Sequence, residues 1–176
     1  MRFRQLDKIT ELVPGERIVA VRKVRGDEDY LRDHFPLFPV MPGVLMLEAL
    51  FQASCWLIRV TENFQSSLLI LSEARNVKFA DFMEPNETLQ ITAEILKLEK
   101  EKVSIKAIGM KGDIVAVSAR LIIGKSNLKT HDTELSPLDE FMRESMRVQL
   151  ERLTAQSVID FQSFTTDKTE PEALAD

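Results

Sequence analysis

The sequence predicts an α+β domain. Three observations carry this: a run from Gly43 to Asn63 with no helix breaker and apolar side chains on nearly all sides, four later runs of strand composition, and strict alternation of apolar and polar residues in one of them. A helix that is apolar all round must be covered on every side, and antiparallel strands following it in the chain can do the covering. The expected architecture is a long central helix wrapped by a curved antiparallel sheet, with a helical extension at the C-terminus.

Each element has its own signal. The segment ERIVAVRKV, residues 16–24, is β-branched and follows the turn Pro14-Gly15, so it reads as a strand. Residues 27–42 read as irregular, because Pro36, Pro39 and Pro42 each remove a backbone donor and push the preceding residue out of the helical region. The central helix then runs for roughly five turns. After a loop at residues 65–67 come LLILSEARNVKF, ETLQITAEILKL, KVSIKAIGM and IVAVSARLIIG. In the second of these Leu89, Ile91, Ala93 and Ile95 alternate with Gln90, Thr92 and Glu94, the period of a sheet with one wet face. Gly112-Asp113 marks the hairpin between the last two. The compact domain is assigned to residues 1–124 and a polar linker, amphipathic helix and disordered tail to residues 125–176. In that extension Ser136 is the expected N-cap and Pro137 the first helical residue. Leu138, Met142, Met146, Leu150 and Leu153 form a narrow apolar stripe that needs a surface to pack on, either the outside of this domain or a neighbouring subunit.

Composition bounds the function. With 176 residues, 44% apolar and 29% charged, the chain suits one soluble domain with a sizeable core. The single cysteine, Cys55, lies inside the apolar run, which gives no disulfide framework and fits a reducing, cytoplasmic setting. MRFRQLDKITEL lacks the uninterrupted apolar core of a secretory signal, and residues 44–60 are interrupted by Glu48, Gln52 and Arg59, which argues against a membrane span. A net charge of −5 and pI near 5.2 disfavour non-specific nucleic-acid binding.

The chemistry concentrates between His34 and Gln52. Glu48 sits among apolar neighbours; one helical turn away lie Val44, Leu45, Phe51 and Gln52, none of them cationic. Gln52 can hold the carboxyl by a hydrogen bond but cannot neutralise it, so burial would make Glu48 a proton donor. The alternative is a glutamate on the one face that reaches water. His34, fourteen positions earlier and one of two histidines, would by itself more often be a surface or structural residue than a base. Together with the free N–H groups of a helix N-terminus at Gly43 and Val44, the two residues supply base, acid and oxyanion stabiliser. A metal site is disfavoured, since His131 falls in the polar linker and no His or Cys cluster surrounds His34. Cys55 has no adjacent base to make it a nucleophile, and no phosphate-cradling glycine loop is present.

The run HFPLFPVMPGVLMLEALFQ resembles the signature of the (3R)-hydroxyacyl-acyl carrier protein dehydratases, a hot-dog-fold family. His34, Phe35, Pro39, Pro42, Gly43, Val44, Glu48 and Gln52 occupy the motif positions, and weaker similarity spans about two-thirds of the chain, from Leu6 to Gly124. The resemblance implies dehydration of a (3R)-3-hydroxyacyl thioester to the trans-2-enoyl thioester in fatty-acid biosynthesis. It implies His34 as base, Glu48 as the group assisting departure of the hydroxyl, and the Gly43 N–H on the thioester carbonyl, with Phe35, Val44 and Gln52 in support. No cofactor is implied. The implied partners are acyl carrier protein and a second copy of the chain, with histidine and acid meeting across the dimer interface and trimers of dimers common in the family. The chain departs from the motif at Asp33 and Leu37, where the family carries glycine; Asp33 would hold His34 charged and Leu37 would narrow the entrance. Two other functions fit the fold: a hot-dog acyl thioesterase, and a non-catalytic acyl-binding or scaffolding protein.

Overall fold

A computed structural model describes residues 3–130 and 132–155 of the chain. Six strands, β1 (Lys8–Val13), β2 (Arg17–Lys23), β3 (Leu68–Phe79), β4 (Thr88–Leu98), β5 (Lys102–Lys111) and β6 (Ile114–Ser126), form one antiparallel sheet in the order β1-β2-β4-β5-β6-β3. The helix α1 (Gly43–Thr61) packs on one face, and a second helix, α2 (Ser136–Thr154), follows the sheet. The long helix and the strands of the 68–124 region lie where their patterns place them. The strand β1 does not appear in the pattern reading, because KITELV alternates short polar and apolar residues next to a charged N-terminus and carries no strong turn signal ahead of it.

Alternation decides which face is buried. On β4, Leu89, Ile91 and Ala93 are fully buried. So are Ile18 and Ala20 on β2, which pair with Ala93 and Ile91 respectively. The inner faces of β5 and β6 add Val103, Ile105, Leu121 and Ile123. Against them α1 lays Ala49, Leu50, Ala53, Leu57 and Ile58, all fully buried; each large aliphatic side chain so placed contributes about 1.5–3 kcal/mol. The small residues Ala49 and Ala53 let the helix approach the sheet closely. By length and apolarity α1 could cross a bilayer, but half of it is buried in the protein's own sheet.

A charged side chain is buried on the inner face of the sheet. Arg22 faces inward on β2 and is 2% exposed. Its guanidinium bonds the Glu28 carboxylate, lies 3.8 Å from Asp7 and donates to Gln5 Oε1 at 3.2 Å and to the Lys23 carbonyl at 2.6 Å. Such a charge is tolerable only when its partners are in place, so Arg22 ties the N-terminal segment to the loop that leads to His34.

Three β6-to-α2 features differ from expectation. Two short 3-10 turns, Leu128–Thr130 and Thr133–Leu135, precede the helix. Ser136 is the first residue of α2 rather than its N-cap; that position falls to Leu135, while Asp132 caps the preceding turn by accepting the Glu134 N–H at 2.9 Å. The apolar stripe is only half buried: Leu150 is in the core, Met146 and Leu153 pack against it, and Leu138 is 44% exposed. The reason is Asp139. Its buried carboxylate accepts from the Ser67 hydroxyl and from the N–H groups of Leu128 (2.8 Å) and Lys129 (3.0 Å), which fixes the rotation of the helix and turns Leu138 outward. Docked this way, α2 lies along β1 of its own chain. The expected disordered tail, from residue 156 onward, lies outside the described residues.

Candidate active site

His34 sits just after a 3-10 turn, Asp29–Arg32, and its N–H donates to the Tyr30 carbonyl at 2.9 Å. The proline-rich segment then bends back so that Nδ1 lies 2.9 Å from the Val40 carbonyl. A carbonyl only accepts, so Nδ1 carries the proton, and in a neutral imidazole this leaves the lone pair on Nε2. The bend is bought by Phe35, which takes φ +52° although it is not glycine, and whose ring centre lies 4.5 Å from that of the imidazole with the planes tilted at 53°. Strain of this kind persists only where surrounding bonds hold it.

Glu48 is half-buried on α1, and its one hydrogen-bond partner among the described residues is the predicted one: Gln52 Nε2 donates to Oε1 at 2.8 Å. Within a single chain the carboxyl therefore lies between the two alternatives, neither fully buried nor fully in water, because the helix face of Val44 and Glu48 is turned away from the sheet. Gln52 is itself fixed. Nε2 also donates to the Phe3 carbonyl at 2.7 Å, and Oε1 accepts the Gln5 N–H at 2.9 Å. The N-terminal segment thus orients the amide that orients Glu48. Nothing in the motif indicates this, since Phe3 and Gln5 act through backbone atoms that any residue supplies.

At the start of α1, the N–H groups of Leu45 and Met46 donate to the Pro42 carbonyl, while those of Gly43 and Val44 have no partner among the described residues. These are the two orphan donors of a helix N-terminus, available to an anionic oxygen. Gly43 is required there for space: a Cβ would lie 2.9 Å from Phe79 Cδ1. Phe79, at the end of β3, is a site residue that the sequence reading misses, because its side chain acts only by closing over a glycine distant in the chain.

Two expectations fail here. Asp33 is exposed, bonds through its N–H to the Tyr30 carbonyl, and makes no ion pair with His34 among the described residues. Leu37 is fully exposed, so within one chain it narrows nothing. It belongs instead to an apolar rim with Phe35, Phe38, Val44, Phe79 and Phe82, each about half exposed or more. Among the described residues no hydrogen bond joins His34 to Glu48: the structure gives each its own scaffold and leaves both beside this open rim. No set of three or more potential metal ligands occurs among the described residues.

Comparison with known proteins places the chain in a family. Residues 1–120 match the family model described as a FabA-like domain. The chain is 39% identical over 107 residues to the 3-hydroxyacyl-[acyl-carrier-protein] dehydratase FabZ of Ruminiclostridium cellulolyticum, covering 60% of this chain and 75% of that protein. It is 34% identical over 126 residues to the FabZ of Pediococcus pentosaceus, covering 70% and 85%. Among solved structures, the dehydratase heterocomplex ApeI:P from Xenorhabdus doucetiae superposes with a TM-score of 0.58 at 20% identity, over 77% of this chain and 89% of that one.

Proposed function

The chain belongs to the FabA-like domain family, and from that premise we propose how it performs the dehydration of 3-hydroxyacyl-[acyl-carrier-protein] in fatty-acid biosynthesis. The reaction removes a C2 proton, acidified by the thioester carbonyl, and expels the C3 hydroxyl. It needs a base, a proton donor and a group to stabilise charge on the carbonyl oxygen. His34 Nε2 is the base. Its other nitrogen is committed to the Val40 carbonyl, so only Nε2 accepts a proton, and the imidazolium formed keeps that bond. The Gly43 N–H, backed by Val44 and the helix dipole, takes the carbonyl oxygen. Glu48, aligned by Gln52, assists departure of the hydroxyl directly or through water, giving the trans-2-enoyl thioester.

The observation that carries this reading is the pair of separate scaffolds. His34 and Glu48 are each held in one orientation, yet they share no bond within the chain, and the helix face bearing Glu48 and Val44 is open. A second copy completes the site by placing one protomer's His34 near Glu48 of the partner subunit. Two features support a homodimer: β3 is a 12-residue edge strand with most side chains exposed, and the apolar rim around the site is too extensive for a finished surface. The substrate partner is acyl carrier protein, and the single buried thiol suits a cytoplasmic setting.

The test is formation of the enoyl product, or its hydration in reverse, on 3-hydroxyacyl thioesters of acyl carrier protein. Turnover without release of free thiol is the expected result. Thiol release without enoyl formation would assign a thioesterase instead, and binding without turnover a scaffold.

A further inference from the structure

A groove of about 820 Å³ opens between α1, α2 and the N-terminal segment, on the far side of Gln52 from Glu48 in the chain of bonds that holds that carboxylate. Its walls are apolar: Phe3 and Leu6 from the N-terminal segment, Phe51 and Trp56 from α1, Met146 and Leu153 from α2. Its rim is cationic. Arg4, Arg25, Arg59 and Arg152 line it, and only Arg25 is neutralised, by Asp7 at 2.6 Å. Arg4, Arg59 and Arg152 have no carboxylate partner among the described residues.

Arg59 is the informative one. Its guanidinium lies 5.2 Å from the centre of the Trp56 ring, and its Nε is buried with no hydrogen-bond partner. Burial pulls its pKa down from the ordinary arginine value. The neighbouring Cys55 supplies no countercharge, since burial pushes that thiol up to about 12. A half-buried guanidinium without an anion is costly, and a planar fork of donors over an apolar wall is suited to a carboxylate or phosphate carried on hydrocarbon. The volume falls within the range of small-molecule sites.

We propose that this groove binds an anionic amphiphile, a hydrocarbon chain ending in a carboxylate or phosphate, with Arg59 and Arg152 on the anion and Trp56 against the chain. The site exists because α2 forms one wall, so it belongs to the extension beyond the matched domain. Gln52 borders it, and the same amide holds Glu48. Occupancy therefore reaches turnover without contest for the substrate's place. This kinetic consequence rests on the dehydratase reading, whereas binding does not.

Trp56 is the chain's one tryptophan and so reports directly. Full-length protein is titrated with decanoate, decyl phosphate and, as the uncharged control, decanol, following tryptophan emission and heat of binding. Saturable binding of an anion is expected, with decanol weaker by at least about tenfold. Arg59→Met and Arg152→Gln should each weaken the anion by about tenfold or more; Arg152 is exposed, so its variant tests the site even where Arg59→Met fails to fold. Tighter binding of decanoate assigns a free acyl chain, and of decyl phosphate a phosphorylated one. Equal binding of decanol, or full affinity in folded Arg59 and Arg152 variants, overturns the site. An anion that raises the KM for thioester in strict competition overturns the separate-site claim and makes the groove part of the substrate's path. If the protein binds the anion but dehydrates nothing, the groove stands and the catalytic reading falls.

Discussion

Each catalytic candidate owes its orientation to groups that do no chemistry. The Val40 carbonyl leaves His34 one basic nitrogen, and a backbone carbonyl and N–H from residues 3 and 5 hold the amide that holds Glu48. His34→Ala and Glu48→Gln are therefore expected to lower turnover by about a hundredfold or more, with circular dichroism unchanged. Because Glu48 is half-buried in one chain, Glu48→Gln should leave the melting temperature near that of the parent; a large fall would show a structural partner in the assembly. Gly43→Ala makes a different demand. Its methyl would enter the Phe79 ring, at an expected cost of about 1–3 kcal/mol in a denaturant melt, and Phe79→Leu in the same chain should recover most of it. The spacing of His34, Gly43, Glu48 and Gln52 was readable because it follows from motif and helical periodicity. The supports were not, since Val40, Phe3 and Gln5 contribute backbone atoms without a sequence signal and Phe79 acts through a contact set by sheet curvature. Asp33 illustrates the opposite error: adjacency in sequence suggests an ion pair with His34 that the turn at Asp29–Arg32 does not bring about.

The elements show why α2 is anchored as it is. Ser67 and the Leu128 and Lys129 N–H groups converge on Asp139, and Arg143 adds a bond to Asn127 at 2.8 Å, so the N-terminal half of the helix is held by polar bonds while its C-terminal half packs through Met146, Leu150 and Leu153. Burial pushes the Asp139 carboxyl up, but the Ser67 hydroxyl, the Lys129 and Leu128 N–H groups and the Arg143 charge outweigh it and hold the pKa below the ordinary 3.8. A carboxylate whose folded value is depressed stabilises fully above its unfolded value, and that contribution is lost as the pH falls through the folded one. Hydrogen exchange should therefore show α2 protected at neutral pH and opening below pH about 4, with the Asp139→Asn variant already open at neutral pH. Loss of that charged cluster is expected to cost about 1.5–3 kcal/mol. Periodicity made the helix itself legible. The rotation was not legible, because one buried aspartate outweighs the exposed Leu138, and composition does not reveal which member of a stripe is sacrificed.

For the whole molecule, the sheet order and the docking of α2 on its own β1 separate two roles of the two edges. The β1 edge is covered from within, whereas the β3 edge has no strand beyond it among the described residues. Light scattering on protein truncated after Lys125 should give the same number of subunits as the full chain, with a melting temperature lower by several degrees because Leu150 and its neighbours lose their burial. A drop in subunit number would place α2 between subunits instead. The order β1-β2-β4-β5-β6-β3 also governs how the chain comes off the ribosome. The strand β3 is made directly after the apolar α1, but among the described residues its only partner strand is β6, the last strand of the sheet to be made. Until then the nascent chain carries an oily helix and an unpaired strand side by side, the combination most prone to mispairing with another copy. Closure of the β3–β6 pair, the last in the sheet to form and joining residues as far apart as Leu68 and Ser126, is expected to limit the rate of folding. A ribosome stalled before residue 114 would hold a chain whose third strand has been made but whose pairing strand has not.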